Sequence, residues 1–373
     1  MSRRPEPFEK LHCVLHCQSD EAHLQQVYAG FSMLARNGGI TLQQKLGKLD
    51  FLQPQLPPHL DTSRASHLVA EVDGMRIGYD VHDAGEVPED LLASVDVLFK
   101  RSWERDFVEA CTARDKVFPL GANLWVRADA PDWHALKRAR MYSGRESLKR
   151  VARALGFDRL FGHIMFTPRW RNLSAKPPLE LSPRVLFLAE AWDPEEAPTP
   201  HTAAERVHIN ADRAACMRAL RDRFGDRATC GFRNTPFAQR EFADLVVTDS
   251  KLTRKRNYLD LVRRHPICIA TSGLHRSTGW KFAEYLAMSR AIVSEKLHMR
   301  LPGPIAADTH YLEFNNAESC VAAVARLFED VGKRNALMNA ASTYSLHHVR
   351  PDSLVAESLR RALAWRETNR QRS

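Results

Sequence analysis

The sequence predicts an α/β fold in two domains, each built on an open sheet whose strands end in polar loops. Short apolar runs alternate with helix-length amphipathic segments along most of the 373 residues, which is the pattern of strand–helix–strand units. A proline-rich stretch without periodicity, residues 167–183, separates two such series and is interpreted as the linker. The predicted domains are residues 1–170 and 183–350, followed by a C-terminal helix within 351–373.

In the first domain, short apolar runs bounded by turn residues indicate strands. The predicted strands are 11–17, 68–72, 75–81 and 95–99, with a strand-to-loop step over 117–123. The predicted helices are 20–37, ended by Gly38-Gly39, and 88–94. Asp73-Gly74 is a two-residue hairpin signal between the second and third strands, and a loop is marked by Pro54, Pro57 and Pro58.

The second domain repeats the alternation. Its predicted strands are 184–189, 228–231, 245–248, 267–270 and 291–293. Its predicted helices are 211–224, 279–289, 318–329 and the closing helix 352–366.

A basic helix is predicted over residues 132–153. Its cations are Lys137, Arg138, Arg140, Arg145, Lys149 and Arg150. Such a helix is either a solvated surface helix or a docking element for anionic lipid headgroups or a phosphate-bearing acceptor.

Residues 271–295 form the stretch around which the sequence is organised. A buried strand, a Gly/Ser/Thr turn and the start of an apolar helix make an anion site, because free N–H groups and the helix dipole point at the ligand. We expect Ser277 or Thr278 to cap that helix. The candidate binding residues are Ser272, Gly273, His275, Arg276, Ser277, Thr278, Gly279 and Lys281.

The spacing of Gly279, Lys281, Glu284, Leu286-Ala287 and 291–293 resembles the donor-binding element of GT-B glycosyltransferases of the group-one type. The resemblance covers about residues 183–345. It implies a GT-B-like fold of two Rossmann-like domains facing a cleft, with the closing helix crossing back to the first domain. Arg276 stands where that family has a first glutamate that contacts the donor sugar, so this chain departs from the pattern there.

The resemblance implies a nucleotide diphosphate-sugar at this site. Glu284 would accept the ribose hydroxyls; the structural alternative is a helix pair with Lys281, one turn back. Arg276 would contact the diphosphate, unless it pairs with Glu284 or Glu295. Arg254, in the basic run 251–256, would belong to a basic pair on the diphosphate or to a solvated loop.

In the first domain, His82 and Asp80 are candidate catalytic residues at the end of an apolar strand. His82 can take a proton near neutral pH, and Asp80 or Asp83 can orient it. Lys100 and Arg101 follow the next strand and could face donor phosphate or an anionic acceptor. Polar residues also accumulate at strand ends simply because the chain turns there.

Composition narrows the class of protein. A content of 44% hydrophobic and 27% charged residues is typical of a globular protein. The formal charge of +9 implies an anionic partner. Seven scattered cysteines indicate reduced thiols in a cytoplasmic protein, and Cys13 and Cys17 are not expected to bind zinc. The sequence contains neither a run of about 18 apolar residues nor a secretory signal, so no transmembrane helix is expected.

The predicted function is therefore transfer of a sugar from a nucleotide diphosphate-sugar to a saccharide or lipid-linked acceptor, in surface polysaccharide or glycoconjugate synthesis. No Asp-x-Asp element occurs, so we expect a metal-independent enzyme without a cofactor, peripheral on the inner face of an anionic membrane. The alternatives are a nucleic-acid-binding protein, for which no recognition element is visible, and a sugar-nucleotide epimerase on the same fold.

Overall fold

The computed structural model describes residues 11–47, 66–157 and 166–371, and the loop predicted at Pro54, Pro57 and Pro58 lies outside them. The chain divides into two compact units. The first contains the chain up to Asn172, Met299–Gly303 and the part from Leu346 onward, and the second contains Leu173–His298 and Pro304–Ser345.

The first unit contains a six-stranded sheet in the order β2-β1-β3-β4-β5-β6. Its strands are β1 (Leu11–Cys17), β2 (Ile40–Leu46), β3 (His67–Val72), β4 (Met75–Asp80), β5 (Val97–Lys100) and β6 (Val117–Pro119). β3 is antiparallel to both of its neighbours, whereas the pairs β1–β2, β4–β5 and β5–β6 are parallel. The carboxyl ends of β1, β4, β5 and β6 therefore lie at one edge of the sheet, together with the start of β3.

The helices of this part of the chain are α1 (Gln25–Arg36), α2 (Glu89–Ser94), α3 (Arg105–Ala110), α4 (Trp133–Arg138), α5 (Gly144–Leu155), α6 (Trp170–Leu173) and α13 (Pro351–Arg370). The closing helix α13 packs on α1 and adds Val355, Leu359 and Ala362 to the core of the first unit. Gly30 permits this close approach, because a Cβ there would lie 2.3 Å from Pro351 O.

The second unit contains a parallel five-stranded sheet in the order β8-β7-β9-β10-β11. Its strands are β7 (Val185–Ala189), β8 (Ala228–Phe232), β9 (Ile267–Ala270), β10 (Ala291–Glu295) and β11 (Tyr311–Phe314). Its helices are α7 (Pro200–Phe224), α8 (Pro236–Glu241), α9 (Lys255–Arg264), α10 (Trp280–Ala287), α11 (Ala317–Glu329) and α12 (Val331–Tyr344). Almost every residue of β7, β9 and β10 is buried, as expected for strands with helices on both faces.

The predicted α/β fold class is confirmed by the alternation of strands and helices along the chain. The strands form two separate sheets, since β7 belongs to a different sheet from β1. The Asp73-Gly74 hairpin is confirmed by the antiparallel pairing of β3 with β4. Two strands were not predicted: β2, which contains the polar pair Gln43-Gln44, and β11, in which the exposed Glu313 interrupts a four-residue run.

Three predicted elements are wrong in type or extent. Residues 245–248 are not a strand: Leu245 closes a 3₁₀ turn, and only a single bridge joins Val246 to Phe232. The long basic helix is two helices, because the chain is extended at Tyr142 and Gly144 has a φ of 54°. The predicted helix over 211–224 begins eleven residues earlier, at Pro200 with Thr199 as its cap, where exposed polar residues hide the apolar period.

Candidate functional site

The carboxyl ends of β7 and β9 mark the point where the second sheet reverses its strand order. The chain runs from β7 to β8 on one side and then returns to β9 on the other. Open α/β sheets bind ligands in the crevice that such a switch point creates. The loop 271–279, which the sequence identified, leaves β9 at this point and leads into α10.

Arg213 on α7 forms hydrogen bonds with the residues that follow both β7 and β9. It was not among the residues predicted from the sequence. Its guanidinium donates hydrogen bonds of 3.0 Å each to Glu190 O, Thr271 Oγ1 and Ser272 O. It also lies 4.4 Å from the centre of the Trp192 ring. Burial lowers the pKa of Arg213 to about 10. Since its three nitrogens are engaged, Arg213 positions the loop rather than offering a free cation.

The loop amides that we expected to face an anion are occupied by protein acceptors. Ser272 N donates to Glu295 Oε2 at 2.7 Å and His275 N to Glu205 Oε1 at 2.7 Å. Gly273 N donates to Ser277 O at 2.9 Å. An anion at this loop therefore has to rely on side chains and on the first turn of α10.

The geometry of the loop explains its residue types and corrects the predicted helix cap. A Cβ at Gly273 would lie 2.8 Å from Ser277 Oγ, so a larger residue does not fit without a shift. His275 and Arg276 have φ angles of 57° and 53°, a left-handed conformation that is strained for both. Gly279, with an extended backbone, is the N-cap of α10, so neither Ser277 nor Thr278 is.

Lys281 in the first turn of α10 is a second cation near the strand ends. Its Nζ donates a hydrogen bond to Leu188 O and lies 5.5 Å from the centre of the Tyr258 ring. Burial, followed by the neighbouring charge of Arg213, lowers the pKa of Lys281 to about 7. The amine therefore titrates near neutral pH at the N-terminal end of a helix.

Glu284, one turn further along α10, is 1% exposed. Its Oε1 forms an ion pair with Lys255 Nζ in the first turn of α9. This partner corrects the structural alternative that paired Glu284 with Lys281. Glu284 Oε2 is buried and has no hydrogen-bond partner among the residues that the structure describes.

The other predicted donor-site residues differ in exposure. His275 and Arg276 are exposed on the loop, whereas Ser277 and Thr278 are buried. Arg254 is exposed at the N-cap of α9, immediately before Lys255. The structure thus brings the loop 271–279, Lys281, Glu284 and the start of α9 into one neighbourhood within the second unit.

The candidate residues of the first unit meet at the carboxyl ends of β4 and β5, where Asp80 and Lys100 are paired in register. Lys100 Nζ lies 2.7 Å from Asp80 Oδ2 and also donates to Ala84 O at 2.9 Å. Asp80 Oδ1 accepts a hydrogen bond of 2.9 Å from His82 N, and His67 Nε2 lies 3.5 Å away. Burial raises the pKa of Asp80, but the charges and hydrogen bonds of Lys100 and His67 together outweigh burial and hold that pKa well below its usual range.

Arg101 is also buried and paired. It forms an ion pair with Asp83, whose side chain is 41% exposed, and lies 3.1 Å from His23 Nδ1. Of the four candidates of the first unit, Asp80, Lys100 and Arg101 are therefore held by protein partners in this edge of the sheet.

His82 is half-buried, and its ring is oriented by the backbone. Ala84 N donates to His82 Nδ1 at 3.2 Å, which places the proton of the neutral imidazole on Nε2. Burial lowers the pKa of His82. In this arrangement His82 offers a hydrogen-bond donor, and acting as a base at Nδ1 requires release of the Ala84 amide.

In the part of the chain that the structure describes, no group of three or more His, Cys, Asp or Glu residues is arranged to hold a metal ion. No helix among the same residues is long and apolar enough to cross a membrane.

No protein-family model and no curated protein matches the sequence. Among solved structures, the chain is similar to the C-terminal domain of LpcC, a glycosyl transferase group 1 family protein from Francisella tularensis. The identity is 13% and the TM-score 0.30, over 47% of this chain and 88% of that one. It is also similar to a protein from Listeria monocytogenes described as a UDP-N-acetylglucosamine 2-epimerase, with 11% identity and a TM-score of 0.37 over 96% and 74% of the two chains.

A third similar structure is HepE from Anabaena in complex with UDP-glucose, with 12% identity and a TM-score of 0.38 over 94% of this chain and 99% of that one. At these identities and TM-scores the likenesses decide neither the fold nor the function, which rest on the topology and on the residues of the site.

Proposed function

We propose that this protein is a glycosyltransferase whose second unit binds a nucleotide diphosphate-sugar at the carboxyl ends of β7 and β9. The observation that carries the proposal is the buried carboxylate of Glu284, which has one oxygen paired to Lys255 and the other without a partner in the described part of the chain. Its position on α10, five residues after Gly279, is also the position of the resembled donor-site glutamate.

A buried carboxylate oxygen without a partner costs about 1–3 kcal/mol, so proteins rarely retain one without a reason. A ribose supplies two adjacent hydroxyl donors that a carboxylate accepts. Glu284 is almost inaccessible, so a ligand reaches Oε2 only when a covering side chain moves. Lys255, 21% exposed in the first turn of α9, has the freedom to do so.

The diphosphate would lie at the first turn of α10. Helix geometry leaves the first N–H groups without intrahelical carbonyls there, and the dipole favours an anion. Lys281 adds a cation within this turn, and Arg276 and Arg254 add exposed guanidinium groups nearby. Cations held in place before the reaction stabilise the negative charge that grows on the diphosphate as the sugar departs.

The first unit would present the saccharide or lipid-linked acceptor. Asp80 and Lys100 would hold the edge of its sheet, while His82 Nε2 and the exposed carboxylate of Asp83 would face the acceptor hydroxyl. In this proposal neither metal nor cofactor is needed, and the protein works at the inner face of a membrane where lipid-linked acceptors reside.

Melting curves with added nucleotides test the donor site. We expect UDP, GDP or a related diphosphate to raise the melting temperature and the monophosphate to raise it less, since binding to the folded state stabilises it. Failure of every nucleotide at millimolar concentration, together with salt-sensitive binding of DNA or RNA, would overturn the proposal in favour of a nucleic-acid-binding protein. Turnover of a nucleotide-sugar without any acceptor would instead identify an epimerase.

The variant Arg276→Gln separates leaving-group stabilisation from binding. If Arg276 contacts the diphosphate, turnover should fall more than nucleoside affinity, because the charge it meets is largest in the transition state. Arg264→Gln is a matched control, since that arginine is exposed at the far end of α9. Equal behaviour of the two variants would remove Arg276 from the site.

A further inference from the structure

The larger apolar side chains of helix α5 are not buried, as they would be in a helix that packs against a core. Only Ala152 and Ala154 are buried in it. Leu148 is 59% exposed, and Val151 and Leu155 are only half-buried. An amphipathic helix of a globular protein normally buries its larger apolar residues. The face of α5 that carries these three side chains therefore lacks a partner within the described chain.

The inward side of α5 is polar. Arg150 pairs with Asp20, a residue of the loop after β1, and its guanidinium carbon lies 3.8 Å from the centre of the Tyr142 ring. Between α5 and this loop lies a cavity of about 250 Å³, lined among others by Arg138, Arg150 and Arg153. The ionic contacts fix the orientation of the helix, so its apolar side chains stay outward.

Helix α4 adjoins α5 and adds a further exposed apolar side chain. Asp132 N donates to Ala154 O at 2.9 Å, which joins the start of α4 to the end of α5. Trp133, the first residue of α4, is 65% exposed. The three most exposed large apolar side chains of the described residues are Trp133, Leu148 and Phe157.

The exposed charges around these side chains are mostly positive. Lys137, Arg140 and Arg145 are exposed, and Lys149 is 34% exposed beside Glu146. A partner that fits must therefore be both anionic and apolar over an extended area. Nucleic acid supplies the charge without the apolar layer, whereas a bilayer with anionic headgroups supplies both.

We propose that Trp133, Arg140, Arg145, Leu148 and Lys149, which we call the α4–α5 face, dock this protein on an anionic phospholipid bilayer. The apolar side chains enter the headgroup–acyl boundary, and the cations contact lipid phosphates. This inference is independent of nucleotide binding, because the face belongs to the first unit and the donor site to the second.

Vesicle co-sedimentation of the full chain tests it. We expect binding to phosphatidylglycerol-containing vesicles that weakens with salt and is at least tenfold weaker on pure phosphatidylcholine. The double variant Trp133→Ser/Leu148→Ser should bind at least tenfold more weakly at an unchanged melting temperature, since both side chains are exposed. Val207→Ser/Val331→Ser removes exposed apolar side chains of the second unit and should bind like the parent protein.

The variant Arg145→Gln/Lys149→Gln carries the test if the apolar variant does not fold. It should lose about fivefold in binding for each cation removed, and nucleotide-induced stabilisation should be unchanged. Absence of binding to anionic vesicles, equal binding to neutral ones, or an equal loss in the control would overturn the proposal. Concentration-dependent self-association that Leu148→Ser abolishes, without vesicle binding, would also overturn it and assign the face to a second copy.

Discussion

Each unit of this protein contains a buried acid paired with a lysine, and the two pairs differ in what remains unsatisfied. In the first unit, Asp80 has contacts to both oxygens, and Lys100 is completely buried with a second acceptor at Ala84 O. In the second unit, Glu284 has one oxygen paired to the partly exposed Lys255, and its other oxygen has no partner within residues 11–47, 66–157 and 166–371.

The difference separates structural pairs from candidate ligand sites. Burial of a charge is costly in both places, so burial alone does not indicate function. In a closed pair such as Asp80–Lys100, protein donors already contact both carboxylate oxygens. The open pair retains one acceptor that only a ligand, a water or a rearrangement can use. We therefore interpret Asp80 and Lys100 as residues that position the strand ends, and Glu284 remains the proposed ligand contact.

The largest expected effect is a loss of stability when the ion pair between Asp80 and Lys100 is broken. Asp80→Asn leaves the ammonium of Lys100 buried without its counter-charge, and should lower the free energy of unfolding by about 3–5 kcal/mol. Urea denaturation measures the loss. Asp115→Asn, at an exposed position of the same unit, is the matched control and should change stability by less than about 0.5 kcal/mol.

Nucleotide affinity per folded molecule should be unchanged in Asp80→Asn, since the donor site lies in the other unit. A small loss of stability would mean that Asp80 is not a closed structural pair and would reopen a direct role for it in catalysis.

A smaller effect, on binding rather than stability, is expected at the open pair. Glu284→Gln keeps the shape of the side chain but removes its charge, and should weaken nucleotide binding by about 1–3 kcal/mol in calorimetric titration. Its effect on stability should be below that of Asp80→Asn, because Lys255 can reach solvent. Glu329→Gln, exposed on α11, is the control. A lower melting temperature with unchanged affinity would place Glu284 in the same class as Asp80.

The sequence predicted the elements better than it predicted the contacts. Strands β7, β9 and β10 were visible because buried parallel strands are uninterrupted apolar runs. Strand β1 was visible as an alternation of buried Leu and Cys with less buried residues. Local turn chemistry likewise gave the β3–β4 hairpin. Edge strand β2 and the first turns of α7 were missed, since exposed elements carry little apolar periodicity.

The contacts of the site depend on how distant elements are packed. Lys255 and Glu284 are 29 residues apart, and only the packing of α9 against α10 brings them together. Arg213 looked like one of many arginines on a long helix, although its position among buried residues of α7 was a signal. The periodicity of α5 indicated a helix, but which side faces inward was decided by Asp20, a residue 130 positions from Arg150.

The effect expected over a single pH unit is the smallest of the three and concerns Lys281, whose Nζ donates a hydrogen bond to Leu188 O. Its charged neighbours are Arg213 and Lys255, which lower its pKa, and Glu284 and Glu190, which raise it. With a folded pKa of about 7 and an unfolded value of about 10.4, the unfolded chain holds the extra proton between these pH values. The contribution of Lys281 to the free energy of unfolding should therefore increase as pH rises from about 7 to about 10, provided that no ligand is bound.

Binding of a diphosphate should reverse this preference, because the anion favours the protonated amine. Complex formation then takes up a proton above pH 7, and affinity should fall by up to about tenfold per pH unit there, while remaining flat below pH 7 as far as Lys281 is concerned. A nucleotide diphosphate-sugar is the ligand to use, since its phosphates do not titrate in this range. Lys281→Met should flatten the profile, whereas Lys333→Met, on α12, should leave it unchanged. A profile that persists in Lys281→Met would assign the proton to another group and remove Lys281 from the phosphate contact.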